Sequence, residues 1–351
     1  MDYKALPKIE LHAHLTGSIS RQTLRTIWAP KHAGGLLTLD DPALVMPEGK
    51  HDYDLKTFFP LFSSYIYALL ADAPSLALAT RSVLSDFAAD GVAYLELRTT
   101  PRKILASDGS VLLTREEYVR TVLDAIDAWQ REAPAPLAMH TRLILSVDRR
   151  DTPADAAETL RIALALRGRV VGLDLCGDPC ARAPGDARGA VDIFTPVFQE
   201  AKAKGLKVTV HFAEAPVSGT DEELTTLLSW DPDRLGHVIC LSPEIKEAVR
   251  TKGCNGGIGL ELCLSCNVQA KMVTGGFPGH HLGEWMDTEG CHVSLGTDDV
   301  GVFGSPLSNE YRLAAEHFGL SDDQTRKLAR GGIDSIFGGD EEKQRLREIM
   351  W

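Results

Sequence analysis

The sequence predicts one (β/α)8 TIM barrel, an α/β fold, on three observations. Eight short runs rich in apolar and β-branched residues alternate with longer segments of helical period, the pattern of a parallel sheet wrapped by helices. No internal repeat, low-complexity run or Pro-rich linker divides the 351 residues, and barrels reach such lengths as one domain. The composition, 44% hydrophobic and 25% charged, supplies apolar material for one large core.

The eight candidate strands are residues 8–15, 92–98, 139–147, 170–176, 206–212, 234–238, 257–263 and 292–296. Amphipathic helices are expected between most of them, at 73–90, 114–132, 153–167, 192–204, 221–229 and 243–252. Residues 26–62 interrupt the rhythm with Pro30, Gly34, Gly35, Pro42, Pro47 and Gly49, and read as an insertion after the first strand, placed to act as a lid. Residues 321–351 are expected to form extra C-terminal helices against the outside of the barrel.

Lys+Arg of 37 against Asp+Glu of 49 leaves a formal charge of −12, which argues against a nucleic-acid polymer or an acidic membrane as partner. A small anion held locally by Arg or Lys remains compatible with it. The seven cysteines (Cys176, Cys180, Cys240, Cys254, Cys263, Cys266, Cys291) are odd in number and scattered, which fits reduced thiols and a cytoplasmic location. No run of about 20 apolar residues offers a membrane span, and a monomer is expected. Cys263-x-x-Cys266 lacks the second pair of a zinc ribbon and reads as buried thiols; His280-His281 has no suitably placed carboxylate and reads as part of a loop or lid.

The chemistry begins at His12-Ala13-His14, near the end of the first strand. Side chains two apart on a strand share a face, so both imidazoles can enter the barrel mouth, as metal binding requires. His211 ends the fifth strand and Asp298 follows the eighth, bringing three imidazoles and one carboxylate to the C-terminal face, where barrels place their active sites. Such a set suits one zinc with a position left for water, whose pKa the metal lowers to near neutrality; cobalt or iron would fit the same donors. Glu214, three residues after His211, is placed to give and take protons. His237 in the sixth strand can hold an attacking hydroxide by a hydrogen bond. Asp299 can accept a hydrogen bond from a base edge, and Gly177 offers an approachable amide.

The motifs Glu10-Leu11-His12-Ala13-His14-Leu15-Thr16-Gly17-Ser18, Asp174-Leu175-Cys176-Gly177-Asp178, His211-Phe212-Ala213-Glu214, Gly236-His237 and Thr297-Asp298-Asp299 resemble, in order and along nearly the whole chain, the series of the adenosine deaminase family. The resemblance implies one zinc on His12, His14, His211 and Asp298, with Glu214 as proton donor and His237 beside the hydroxide. The segments Leu95-Glu96-Leu97-Arg98-Thr99-Thr100-Pro101-Arg102, Val147-Asp148-Arg149-Arg150, Glu261-Leu262-Cys263-Leu264-Ser265-Cys266-Asn267 and Asp299-Val300-Gly301-Val302-Phe303 are similar to the family's N6-methyl-AMP deaminase branch; Val300 stands where adenosine deaminases usually carry Pro. That branch implies substrate contacts at His14, Thr16, Thr99, Thr100, Pro101, Arg102, Asp148, Gly177 and Asp299, with Thr99, Thr100 and Arg102 around a 5′-phosphate. Two positions depart from its pattern: Thr16 replaces a common Asn, and Val238 follows His237 where Gly is usual.

The function so implied is hydrolysis of N6-methyl-AMP, a small purine nucleoside monophosphate, to IMP and methylamine. Adenosine or AMP deamination is the nearest alternative. A binuclear amidohydrolase would need a bridging lysine in the fourth strand, and 170–176 has none. A catalytically idle nucleotide binder would have lost a ligand or the acid, yet all are present.

Overall fold

The computed structural model describes residues 1–50, 53–133, 139–181 and 191–350; residues 51–52 of the expected lid and Trp351 of the tail lie outside them. Eight parallel strands follow in chain order around one sheet: β1 (Lys8–His14), β2 (Val92–Thr99), β3 (His140–Asp148), β4 (Val170–Cys176), β5 (Lys207–Phe212), β6 (Arg234–His237), β7 (Ile258–Leu262) and β8 (Cys291–Leu295). The sheet closes where the Asp298 amide donates to His12 O at 2.7 Å and the His14 amide to Asp298 O at 2.9 Å. Each strand lies within one residue of its expected bounds, because each combines an apolar run with a polar break at its end.

Helices Ala73–Ala89, Arg115–Glu132, Pro153–Ala165, Thr195–Ala203, Asp221–Ser229 and Pro243–Gly256 cross between strands. Their starts are written in the sequence. Thr114 with Glu117 and Thr152 with Asp155 form capping boxes that satisfy the first free amides. After β8, helices Leu307–Phe318, Asp322–Gly331 and Asp340–Ile349 complete the chain.

Four features differ from the sequence reading. The insertion has no boundary at residue 26, since helix Arg21–Ala33 runs through it. At its other end helix Leu55–Leu61 passes into a π-helical turn, Phe62–Ile66, so the inserted unit extends past residue 62. A short antiparallel hairpin, Ile104–Leu105 with Val111–Leu113, follows β2. The tail does more than cover the outside: the Phe337 amide donates to Glu96 Oε1 at 2.5 Å and its ring lies 3.6 Å beneath the Arg234 guanidinium, so this segment floors the barrel.

The barrel interior is unexpectedly polar. Glu96, Arg98, Asp174, Arg234 and Glu261 are all 0% exposed. Arg234 binds Glu96 at 2.6 Å and Glu261 at 2.5 Å, while Arg98 binds Glu261 at 2.7 Å and Asp174 at 3.3 Å. Three carboxylates against two guanidinium groups leave one formal negative charge below the barrel mouth. A dry column of that sign favours a cation above it.

Candidate active site

His12, His14, His211 and Asp298 meet at the C-terminal end of the barrel, their ligand atoms all within 4.8 Å of one another. His12 and His14 share one face of β1 as the two-residue period requires, with ring centroids 5.6 Å apart. Hydrogen bonds behind the rings set their tautomers. His12 Nδ1 donates to Glu261 Oε2 at 2.6 Å, and His211 Nδ1 donates to Leu175 O at 2.9 Å with Asp174 Oδ1 at 3.2 Å. His12 and His211 therefore each turn an Nε2 lone pair inward, where a metal would bind. His12 Nε2 is buried with no partner, and the Nε2 atoms of His14 and His211 face one another at 3.0 Å. Three imidazole nitrogens and one carboxylate oxygen crowd into one small volume, so the residues fit a metal.

The second oxygen of Asp298 accepts from the Cys266 thiol at 2.8 Å, and Cys263 is fully buried nearby. The pair are inward thiols, as the missing second Cys pair indicated.

Glu214 lies beyond β5, after Ala213 turns the chain with φ 54°. Burial pushes its carboxyl up to about 8, and the Asp298 charge adds to the shift, so it holds a proton at neutral pH. His237 ends β6 with φ 64°; its Nε2 has no hydrogen-bond partner and lies 3.9 Å from Glu214 Oε1. Burial lowers its pKa well below the ordinary value, leaving the ring neutral. Asp299 is buried with Oδ1 unpaired. Burial, with Asp298 and Glu214 beside it, raises its carboxyl well above the usual range.

These groups open into a cleft of about 690 Å³. Of the expected substrate contacts, His14, Thr16, Thr99, Thr100, Arg102, Asp148, Gly177 and Asp299 line it. Pro101 does not; it is buried. Thr99 and Thr100 are less free than expected, the first sharing a hydrogen bond with Tyr118 OH at 3.0 Å and the second with Cys176 Sγ at 3.5 Å. Arg102 is the strongest anion signal. Its guanidinium stacks 3.8 Å over the Tyr67 ring, and its buried Nε and Nη2 have no partner.

Several residues of the cleft and its surroundings have no role in the sequence reading. Arg150 grips Asp148 through Nε and Nη2 at 2.8 and 2.7 Å, adding a second guanidinium to the cleft. Phe58, Phe59, Phe62 and Tyr67 bring an aromatic wall from the insertion. Gly17 is required by contact: a Cβ there would lie 1.5 Å from Asp299 Oδ1. Arg98, Glu261 and Asp174 stand behind the ligands, where the available signal was a charged residue inside an otherwise apolar strand.

The chain is similar to known proteins along almost its whole length. Over 357 residues the chain is 37% identical to the N6-methyl-AMP deaminase of Homo sapiens, covering 99% of this chain and 93% of that protein. Over 366 residues it is 35% identical to the N6-mAMP deaminase of Arabidopsis thaliana, covering 99% and 97%. The crystal structure of Arabidopsis ADAL complexed with IMP superposes with a TM-score of 0.87 at 34% identity, covering 99% of this chain and 97% of that one. The family model for adenosine deaminase matches residues 7–350, and the chain belongs to the adenosine deaminase family.

Proposed function

We propose that this enzyme hydrolyses N6-methyl-AMP to IMP and methylamine, using one zinc ion held by His12, His14, His211 and Asp298. The observation that carries the reading is the pairing, in one cleft, of a metal-ligand cluster with the unpaired, buried nitrogens of Arg102. A purine nucleoside monophosphate has an electrophilic C6 at one end and a dianionic phosphate at the other. Relatives named N6-methyl-AMP deaminase, and a solved relative in complex with IMP, support that choice.

When bound, the metal supplies the Lewis acidity that lets water attack at neutral pH. The chain's own groups do the rest. Arg102, stacked on Tyr67, receives the 5′-phosphate as a planar fork. Asp299 hydrogen-bonds the purine base edge, and the Gly177 amide approaches the base because a glycine, held at φ 101°, puts no side chain in the way. Glu214 hands its proton to N1, making C6 electron-poor as water adds. One of the water's protons then passes through Glu214 to the departing amine and the other returns Glu214 to its protonated form, so that the C6–N6 bond breaks and a C6 carbonyl remains. His237 supports the attacking oxygen from its inward Nε2.

The test is kcat/KM on N6-methyl-AMP, AMP, N6-methyladenosine and adenosine with zinc-loaded protein, together with metal analysis. Preference for N6-methyl-AMP with one zinc per chain is expected. Preference for adenosine would keep the chemistry and overturn the substrate; silence on all four would overturn the reaction.

A further inference from the structure

His280 and His281 offered no metal site in the sequence, and the structure places them behind His237. His281 Nε2 donates to His237 O at 2.5 Å, bracing a residue held at positive φ. His280 is 3% exposed, and its two ring nitrogens face different neighbours. Nδ1 meets the Leu282 amide at 3.1 Å, and Nε2 meets Asn267 Oδ1 at 3.1 Å. Asn267 Nδ2 in turn lies 3.0 Å from His237 Nδ1.

One backbone group decides the direction of this whole chain. The Leu282 N–H can only donate, so His280 Nδ1 is an acceptor and the His280 proton sits on Nε2. That proton goes to Asn267 Oδ1, which leaves the Asn267 amide to donate to His237 Nδ1. His237 Nδ1 is then an acceptor, and the proton of the neutral ring sits on Nε2. The reversed amide fails: Asn267 would donate to His280 Nε2, forcing the proton to Nδ1 against the Leu282 N–H.

We infer that His280 is a positioning residue which, through Asn267, fixes His237 as the Nε2–H tautomer, so that His237 donates a hydrogen bond into the site and accepts no proton there. The inward Nε2 is buried and has no protein partner. The inference deepens the reaction proposed above and rests on it for what His237 meets, though the tautomer itself does not depend on any substrate.

The experiment is long-range 1H–15N correlation on metal-loaded protein labelled with 15N-histidine, the His237 signals being identified by their loss in His237→Gln. The expected spectrum has a bare Nδ1 and a protonated Nε2. His280→Phe keeps the bulk and removes the donor; it should free Asn267, mix the two tautomers and lower kcat on N6-methyl-AMP about 100-fold with metal content unchanged. His280→Gln, which still presents an N–H, should restore both. A wild-type His237 protonated on Nδ1, or His280→Phe with tautomer and kcat unaltered, overturns the inference. Should His280→Phe not fold, Asn267→Asp accepts from both neighbours and should move the His237 proton to Nδ1; an unmoved proton overturns it equally. The expected tautomer in a protein silent on every purine would refute the reaction and leave the relay standing.

Discussion

Replacing Arg102 by Met separates recognition of the phosphate from the chemistry at C6. Methionine keeps an unbranched stem and a polarisable group against the Tyr67 and Tyr118 rings, which lie 3.8 and 5.5 Å from the guanidinium carbon. What is lost is charge and two hydrogen-bond donors, Nε and Nη2, that have no protein partner. Hydrogen bonds to a charged group are worth about 1.5–3 kcal/mol each, so the pair is worth roughly 3–6 kcal/mol, or about 10²- to 10⁴-fold. The cleft is open to water and Arg150 stands nearby to compensate in part, which places the expected loss at the lower end, about 10²-fold in kcat/KM for the nucleotide. The control is the matched nucleoside, which has no phosphate and should change by less than about threefold. Steady-state assays on both substrates with both proteins close a thermodynamic cycle. Equal losses for nucleotide and nucleoside would refute the reasoning, because Arg102 would then be supporting the site and not reading the phosphate.

Glu214→Gln should retain metal and substrate affinity while kcat falls by about 10²-fold or more; with the Glu214 carboxyl pushed up to about 8, wild-type kcat/KM should fall as pH rises through that value, and a flat alkaline limb would contradict the acid role. Arg98→Lys keeps a charge and loses the fork that holds both Glu261 and Asp174, so chelator competition should show metal binding weakened about 10- to 100-fold. An unchanged affinity would mean that the carboxylates orient His12 and His211 without it. Glu310 is fully buried and accepts from the Ser265 amide at 3.0 Å, and burial pushes its carboxyl up to about 7. A raised carboxyl favours folding while protonated, so this contribution is full below about pH 4.5 and lost as pH rises through 7, amounting to about 3 kcal/mol by pH 9. Glu310→Gln should remove that slope from Tm against pH, and parallel profiles for the two proteins would refute it.

Where a residue's role follows from local pattern, the sequence was sufficient to find it. The strand ends and the His-x-His pair each depend on spacings of two to four residues. Contacts between distant strands were not readable in this way. Period-two alternation says that Arg98, Asp174 and Glu261 face inward, but not that one guanidinium joins two carboxylates from strands 76 and 163 residues away. Pro and Gly content locates the insertion but carries no signal that its Phe58 and Phe62 rings pack together as a wall of the cleft. Asn267 lies in a local motif and His280 in a distant loop, and only the fold brings both behind His237.

The backbone shows why the departure at Val238 is tolerated. Ala213, His237, Val238 and Asp298 all adopt positive φ, between 54° and 64°, and all lie just past or at the end of a strand that carries site residues. A left-handed residue costs about 1–2 kcal/mol when it is not Gly, and more when β-branched. At Val238 that cost is set against a side chain only 1% exposed, whose burial returns roughly 1.5–3 kcal/mol. A glycine would relieve the strain and forfeit the packing, so the two residues are closely balanced at this position. The conformation itself is held by other bonds. The Val238 amide donates to Phe212 O at 2.9 Å, and His281 ties His237 O. The kink that turns His237 toward Glu214 is therefore imposed by the neighbouring strand and by the paired histidines, and does not depend on the glycine usual there.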